Sequence, residues 1–202
     1  MRKTGVYGGT FNPIHNGHIH LAKQFAQQLG LDRVLLIPAF VPPHKFAPDL
    51  APAEHRLAMC RLASPGTLLE VSDMEIRRKG ASYTCETLRE LKKRNPEDEL
   101  YLLMGEDMFL TVQDWCHPEV LYSLSVLCAA PRSGDGTARI LEQVNRLERA
   151  GAKTAVCNIQ YLPVSSTMVR GAVKKGESIA GMVPAAVAEY IRENQLYLGC
   201  GK

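Results

Sequence analysis

Aromatic side chains are scarce in this chain: phenylalanine, tyrosine and tryptophan make up 6% of its 202 residues, and tryptophan occurs once, as Trp115. The six cysteines, Cys60, Cys85, Cys116, Cys128, Cys157 and Cys200, contain no CxxC pair and no spacing typical of zinc. Most of them lie in apolar segments, which favours reduced core thiols. No apolar run is long enough to span a bilayer, and no charged-then-apolar leader precedes the first strand. A formal net charge of +3 is too small to mark a nucleic-acid binder, and Arg77-Arg78-Lys79 and Lys92-Lys93-Arg94 read as solvated faces. The expectation is a cytoplasmic protein with neither a membrane nor a nucleic acid as partner.

Repeats and low-complexity stretches are also missing, so residues 1–202 read as one domain. A hydrophobic content of 46% and a charged content of 22% suit an ordinary globular core. Apolar runs predict strands at residues 4–9, 33–39, 68–74, 100–104, 125–130 and 154–161. Helical patterns fill 16–29 (with Gly30 as its cap), 53–62, 83–94, 138–150 and 184–194, with shorter helices opening at Pro118 and near Ser165. A polar connection is expected at 77–82. Strands alternating with helices predict an α/β fold: a doubly wound, mostly parallel, Rossmann-like sheet with helices on both faces. In such sheets ligands bind beyond the carboxyl ends of the strands. Three turns that follow strands, at 8–9, 105–107 and 165–167, can therefore meet on one edge.

The stretch GVYGGTFNPIHNGHIHL, residues 5–21, holds the densest chemistry. Gly8 and Gly9 let main-chain N–H groups approach a phosphate closely. His15 and His18 share a face if both lie on the first helical turn, where free N–H groups and the helix dipole also favour an anion. Together they describe a polyphosphate site. Ser165, Ser166 and Thr167 at a later helix start are either a simple N-cap or a second anion site. Arg170 can project over that same turn, and a guanidinium fork there suits a triphosphate.

GGTFNPIHNGH resembles the signature of the HxGH nucleotidyltransferases, and VSSTMVR at 164–170 is similar to that family's second signature, ISSTxIR. The longer form GGTFNPIHNGHIHLA looks most like the bacterial nicotinate-nucleotide adenylyltransferases, although Asn12 stands where many relatives have Asp. The resemblance implies transfer of AMP from ATP to nicotinate mononucleotide, giving deamido-NAD and pyrophosphate. It implies an ATP site at Gly8, Gly9, Thr10, Phe11, Ser165, Ser166 and Thr167, with Gly105 and Asp107 matching a GxD turn on the adenosine side. His15, His18, Lys45 and Arg170 are the expected catalytic group. Lys45 is otherwise an ordinary loop lysine, and Asp107 an ordinary turn carboxylate.

On the acceptor side the resemblance implies that Trp115 stacks on the pyridine ring and that Thr84 receives the nicotinate carboxylate. Thr84 alone reads equally as a helix cap. Mg²⁺ is expected with ATP, held by phosphate oxygens and water, with no protein metal ligand. The attacking phosphate is already an anion at neutral pH, so no general base is needed. Alternatives are a nicotinamide mononucleotide or pantetheine phosphate acceptor, a fragment of a class I aminoacyl-tRNA synthetase, or a non-catalytic nucleotide sensor. Pantetheine-phosphate enzymes usually carry Thr at the position of His15, and no KMSKS element accompanies these motifs.

Overall fold

Six apolar segments pair side by side, all in parallel: β1 (Lys3–Gly9), β2 (Arg33–Pro38), β3 (Leu69–Val71), β4 (Glu99–Gly105), β5 (Ser125–Ala130) and β6 (Lys153–Val156). The computed structural model describes residues 1–42, 49–132 and 134–198. The sheet order is β3-β2-β1-β4-β5-β6, so the chain winds outward from β1 in one direction and then restarts beside it at β4. That reversal opens a crevice beyond the carboxyl ends of β1 and β4.

Alternation along the strands builds two cores. On β2, Val34 and Leu36 face one cluster while Leu35 and Ile37 face the other. The first cluster packs under α1 (Asn16–Leu29), α2 (Ala53–Leu62), α8 (Ser166–Lys174) and α9 (Ala185–Glu193), through Phe25, Met59, Val169 and Ile191. The second packs under α4 (Thr84–Arg94), α5 (Glu106–Phe109), α6 (Pro118–Leu124) and α7 (Gly134–Arg149), through Leu88, Phe109, Leu121 and Ile140. A helix layer on each face makes the doubly wound α/β sandwich that the sequence predicts. Among the described residues no helix is long and apolar enough to cross a membrane.

Both edge strands are shorter than the apolar runs suggest. β3 pairs only with Val34, Leu35 and Leu36 of β2, and the chain then turns into α3 (Met74–Arg78). The expected connection at 77–82 is therefore partly helix. β6 pairs with β5 only through residues 153–156, and the remainder of its predicted run leaves the sheet to wall the crevice. α7 begins before residue 138 because Gly136 lets its first turn close over Glu106; a Cβ there would lie 2.7 Å from that side chain's carboxyl carbon.

Arg56 braces the loops around the crevice. It is 1% exposed, and three carbonyl oxygens rather than a carboxylate receive its guanidinium: Thr10 at 2.8 Å, Ala51 at 2.9 Å and Phe40 at 3.0 Å. One side chain thus ties the loop after β1, the exit from β2 and the approach to α2. Arg56→Met should leave these carbonyls without their donor and lower stability by about 3 kcal/mol, since each unpaired buried group costs about 1–3 kcal/mol. The denaturant midpoint followed by circular dichroism checks this; a loss below about 1 kcal/mol contradicts the brace.

Candidate active site

The crevice is a cavity of about 410 Å³ whose walls include Gly8, Gly9, Thr10, Phe11, His15, His18, Thr84, Gly105, Asp107, Trp115, Ser165, Ser166 and Thr167. The residues expected from the sequence therefore converge, with two exceptions. Lys45 lies outside the described residues. Arg170 is not on the cavity wall: its Nη1 donates to the Asn12 carbonyl at 2.9 Å, and its Nε is buried with no hydrogen-bond partner among the described residues. The guanidinium thus holds the loop backbone through Nη1, beside the cavity where a phosphate contact is expected of it.

Residues 10–13 are shaped from behind. The Thr10 carbonyl accepts from Arg56, the Asn12 carbonyl from Arg170, and the Pro13 carbonyl from the Ser166 hydroxyl at 2.9 Å. A trans peptide carries its N–H opposite its C=O, so the Phe11 N–H is turned away from Arg56. Phe11 sits at φ 46°, a left-handed conformation uncommon for a bulky residue. The missing side chain of Gly9 makes room for it, because a Cβ there would lie 2.8 Å from Phe11 Cζ. The ring stands edge-on to Tyr7 and His18, with centroids 5.6 and 5.1 Å away.

His15 and His18 form a capping box at the start of α1, built from two imidazoles. The His18 N–H donates to His15 Nδ1 and the His15 N–H donates to His18 Nδ1, both at 3.3 Å. The rings stack with centroids 3.6 Å apart at 26°. Because each Nδ1 accepts a hydrogen bond, each neutral ring carries its proton on Nε2. Gly17 permits this: a Cβ would lie 3.1 Å from both the His15 ring and Val164 Cγ1. Burial lowers the His15 pKa from 6.5 to about 4, so that ring is uncharged at neutral pH.

The starts of α8 and α4 at the cavity are handled differently. Ser165 caps α8 by accepting from the Met168 N–H at 3.2 Å, which realises the cap reading for that residue, while Ser166 is spent on Pro13. Thr167 remains on the wall. At α4 the N-cap residue Tyr83 makes no side-chain capping bond, and Thr84 is the first helical residue. Trp115 follows a 3₁₀ turn (Val112–Asp114), half-buried against the second core while lining the cavity.

Sequence reasoning missed Arg132, which follows β5 at the same edge, pairs with Asp107 at 2.8 Å and lies 5.3 Å from the Tyr161 ring centroid. It also missed Glu106, 2% exposed, which accepts from the Arg132 N–H at 2.7 Å and from Arg139 at 2.5 Å. His20 reads as structural from the sequence but lines the cavity, its Nε2 2.8 Å from the Gln160 carbonyl. Among the described residues no group of three or more His, Cys, Asp or Glu side chains is placed to hold a metal.

A family model described as cytidylyltransferase-like matches residues 6–172. A relative from Lachnoclostridium phytofermentans, named "Probable nicotinate-nucleotide adenylyltransferase", is 38% identical over 200 residues, covering 98% of this chain and 100% of its own. A Synechococcus protein of the same name is 41% identical, covering 98% and 96%. The solved structure of Plasmodium falciparum nicotinic acid mononucleotide adenylyltransferase complexed with NaAD superposes with a TM-score of 0.77 at 20% identity, covering 98% of each chain. At that identity the likeness carries the fold.

The His15 shift has a stability consequence. The unfolded chain takes up a proton on this imidazole near pH 6.5, whereas the folded chain resists until about pH 4. Its contribution is thus intact above 6.5 and lost as the pH falls toward 4, by roughly 3 kcal/mol at 1.36 kcal/mol for each pKa unit. His15→Asn keeps a capping oxygen without the titration, so its melting temperature should fall less than that of the parent between pH 7 and 5. Nitrogen-15 spectra of the parent should show His15 neutral, with its proton on Nε2, across that range. Protonation near pH 6.5 contradicts the capping geometry.

Proposed function

This chain belongs to the nicotinate-nucleotide adenylyltransferases of the cytidylyltransferase-like family, and on that premise we propose that its cavity transfers AMP from ATP to nicotinate mononucleotide. The observation that carries this reading is the convergence of the glycine loop and imidazole box with the Thr84–Trp115 wall in one cavity. An oxygen of the acceptor's 5′-phosphate attacks the α-phosphorus of ATP, the bond to the bridging oxygen of the β-phosphate breaks, and pyrophosphate leaves with that electron pair. Deamido-NAD is the other product.

The attacking phosphate needs no deprotonation, and the two histidines are built as donors. Each Nδ1 is committed to backbone, so neither serves as a base, while the Nε2–H groups supply hydrogen bonds to the phosphates as charge develops, that of His15 from an uncharged ring. Arg56 acts from behind the loop on the Thr10 carbonyl, leaving the Phe11 N–H for the triphosphate, while Arg170 holds the Asn12 carbonyl, whose peptide nitrogen is that of Pro13 and carries no hydrogen. Thr84 and the free N–H groups of α4 receive the nicotinate carboxylate. Trp115 offers a face to the pyridinium ring, an interaction of about 0.5–2 kcal/mol.

The donor set of the cavity suits anions: backbone amides, hydroxyls and imidazole N–H groups. Asp107, a carboxylate on the cavity wall, is already paired with Arg132. Mg²⁺ therefore enters as part of the ATP substrate, carried by phosphate oxygens and water.

Pyrophosphate release from MgATP, measured with each acceptor in turn, tests the reading. An amide in place of the carboxylate sets NH₂ against N–H donors, so kcat/KM should favour nicotinate over nicotinamide mononucleotide by roughly a hundredfold or more. Comparable values, or turnover of pantetheine phosphate instead, would overturn the assignment of acceptor. His18→Ala should reduce kcat by about 10²–10³ and, through loss of the box, reduce stability by about 1 kcal/mol. Near-parental turnover in the folded variant would remove His18 from the reaction.

A further inference from the structure

Glu75 is a buried carboxylate to which the reaction above gives no part. It lies on α3, is 5% exposed, and borders the cavity beside Ser82, Tyr83 and Thr84. The Thr87 hydroxyl donates to its Oε1 at 2.6 Å, and the nearby Ser82 hydroxyl also favours the charged carboxylate. Both hydroxyls are oriented from their other side: the Phe40 N–H donates to Ser82 Oγ and Arg78 Nη2 donates to Thr87 Oγ1, each at 2.9 Å. A hydroxyl that accepts from an N–H has its own proton left to give, and that of Thr87 goes to Glu75. The backbone repeats the link, with the Ser82 N–H on the Val41 carbonyl at 2.9 Å.

The result is a circuit joining three segments: the exit of β2 at Phe40, residues 82–84 that open α4, and the second turn of α4 at Thr87. Burial raises the pKa of Glu75, while Thr87, Ser82 and Arg78, whose Nη2 is 4.0 Å away, act in the opposite direction. Glu86, on α4, is a like charge that acts in the same direction as burial. An apolar side chain would fill this position without that desolvation cost, which argues against packing as the reason for a carboxylate.

We propose that Glu75 is a positioning residue for the acceptor: by taking the proton of Thr87 beside Ser82 it fixes the first turn of α4, and with it Thr84, at the place where the acceptor's pyridine substituent binds. Glu75 has this role only if the Thr84–Trp115 wall receives nicotinate mononucleotide, as proposed above. It touches neither ATP nor the transferring phosphorus in this arrangement, so its loss should separate the two substrates.

The test measures KM for nicotinate mononucleotide at saturating MgATP, KM for ATP at saturating acceptor, and the melting temperature, in the parent, Glu75→Gln, Glu75→Ala and Thr87→Val. Glu75→Ala should raise the acceptor KM about tenfold with the ATP KM within about twofold, because small misplacements of a binding group are costly. Glu75→Gln keeps an accepting oxygen and should hold the rise to about threefold, while Thr87→Val should follow Glu75→Ala in direction. If Glu75→Ala does not fold, the Gln and Thr87→Val variants decide. An equal rise in both Michaelis constants, or a lower melting temperature with both unchanged, overturns the proposal. A parent enzyme that does not use nicotinate mononucleotide overturns the acceptor reading itself, and is seen before any variant is compared.

Discussion

Three carbonyl oxygens in the loop between β1 and α1 are held by donors that lie behind it: Thr10 by Arg56, Asn12 by Arg170 and Pro13 by Ser166. Backbone dipoles with their negative ends secured on the protein side present positive ends elsewhere, and a polyphosphate site needs that polarity. Two of the donors are guanidinium groups, so the loop is backed by fixed positive charge as well as shaped by it. The other features of the cavity depend on this hold. Phe11 can keep its left-handed conformation only while its neighbours are pinned, and Phe11 is what stands against the His18 ring.

The short α5 starts uncapped at Gly105 on the cavity wall, and the three longer helices that begin there finish their first turns in three ways. α1 is closed by imidazoles, α8 by the Ser165 hydroxyl, and α4 has no side-chain cap from Tyr83. A capped helix end has part of its hydrogen-bonding capacity satisfied and offers its capping groups instead; an open end offers its amides. The difference matches the division of labour proposed for the substrates. The phosphate side is met by side-chain N–H and loop backbone, and the pyridine side by the bare start of α4. The sheet makes this possible, because parallel strands bring every following helix start to the same edge.

Much of this was legible in the chain itself. Apolar runs located all six strands, and α2 and β5 have the bounds that the pattern predicts. Periodicity reads burial, however, and not pairing: β3 stops short of the end of β2 as the chain turns into α3, and β6 stops short of the end of β5 as the chain leaves to wall the crevice. The clustering of Gly8, Gly9, His15 and His18 could be read from spacing, but the reciprocal capping could not, because imidazole is a rare cap and its geometry depends on Gly17 making room. Arg170 could be placed on its helix turn, but its bond to the Asn12 carbonyl could not be read, since no motif encodes a backbone partner. Arg132 and Glu106 left a signal that spacing alone does not rank: charged residues just past the carboxyl ends of β5 and β4.

The imidazole box also bears on metal poisoning. Two histidines three residues apart at a helix start would ordinarily be an inviting chelate for zinc, copper or nickel, which bind an imidazole through a bare ring nitrogen. Here both Nδ1 lone pairs are occupied by backbone N–H groups and both Nε2 atoms carry hydrogen. A transition metal could gain a lone pair only by shifting a proton between ring nitrogens and breaking the cap of α1. The arrangement that makes the pair good donors to phosphate therefore makes it a poor trap for the soft cations that a histidine-rich sequence would otherwise collect.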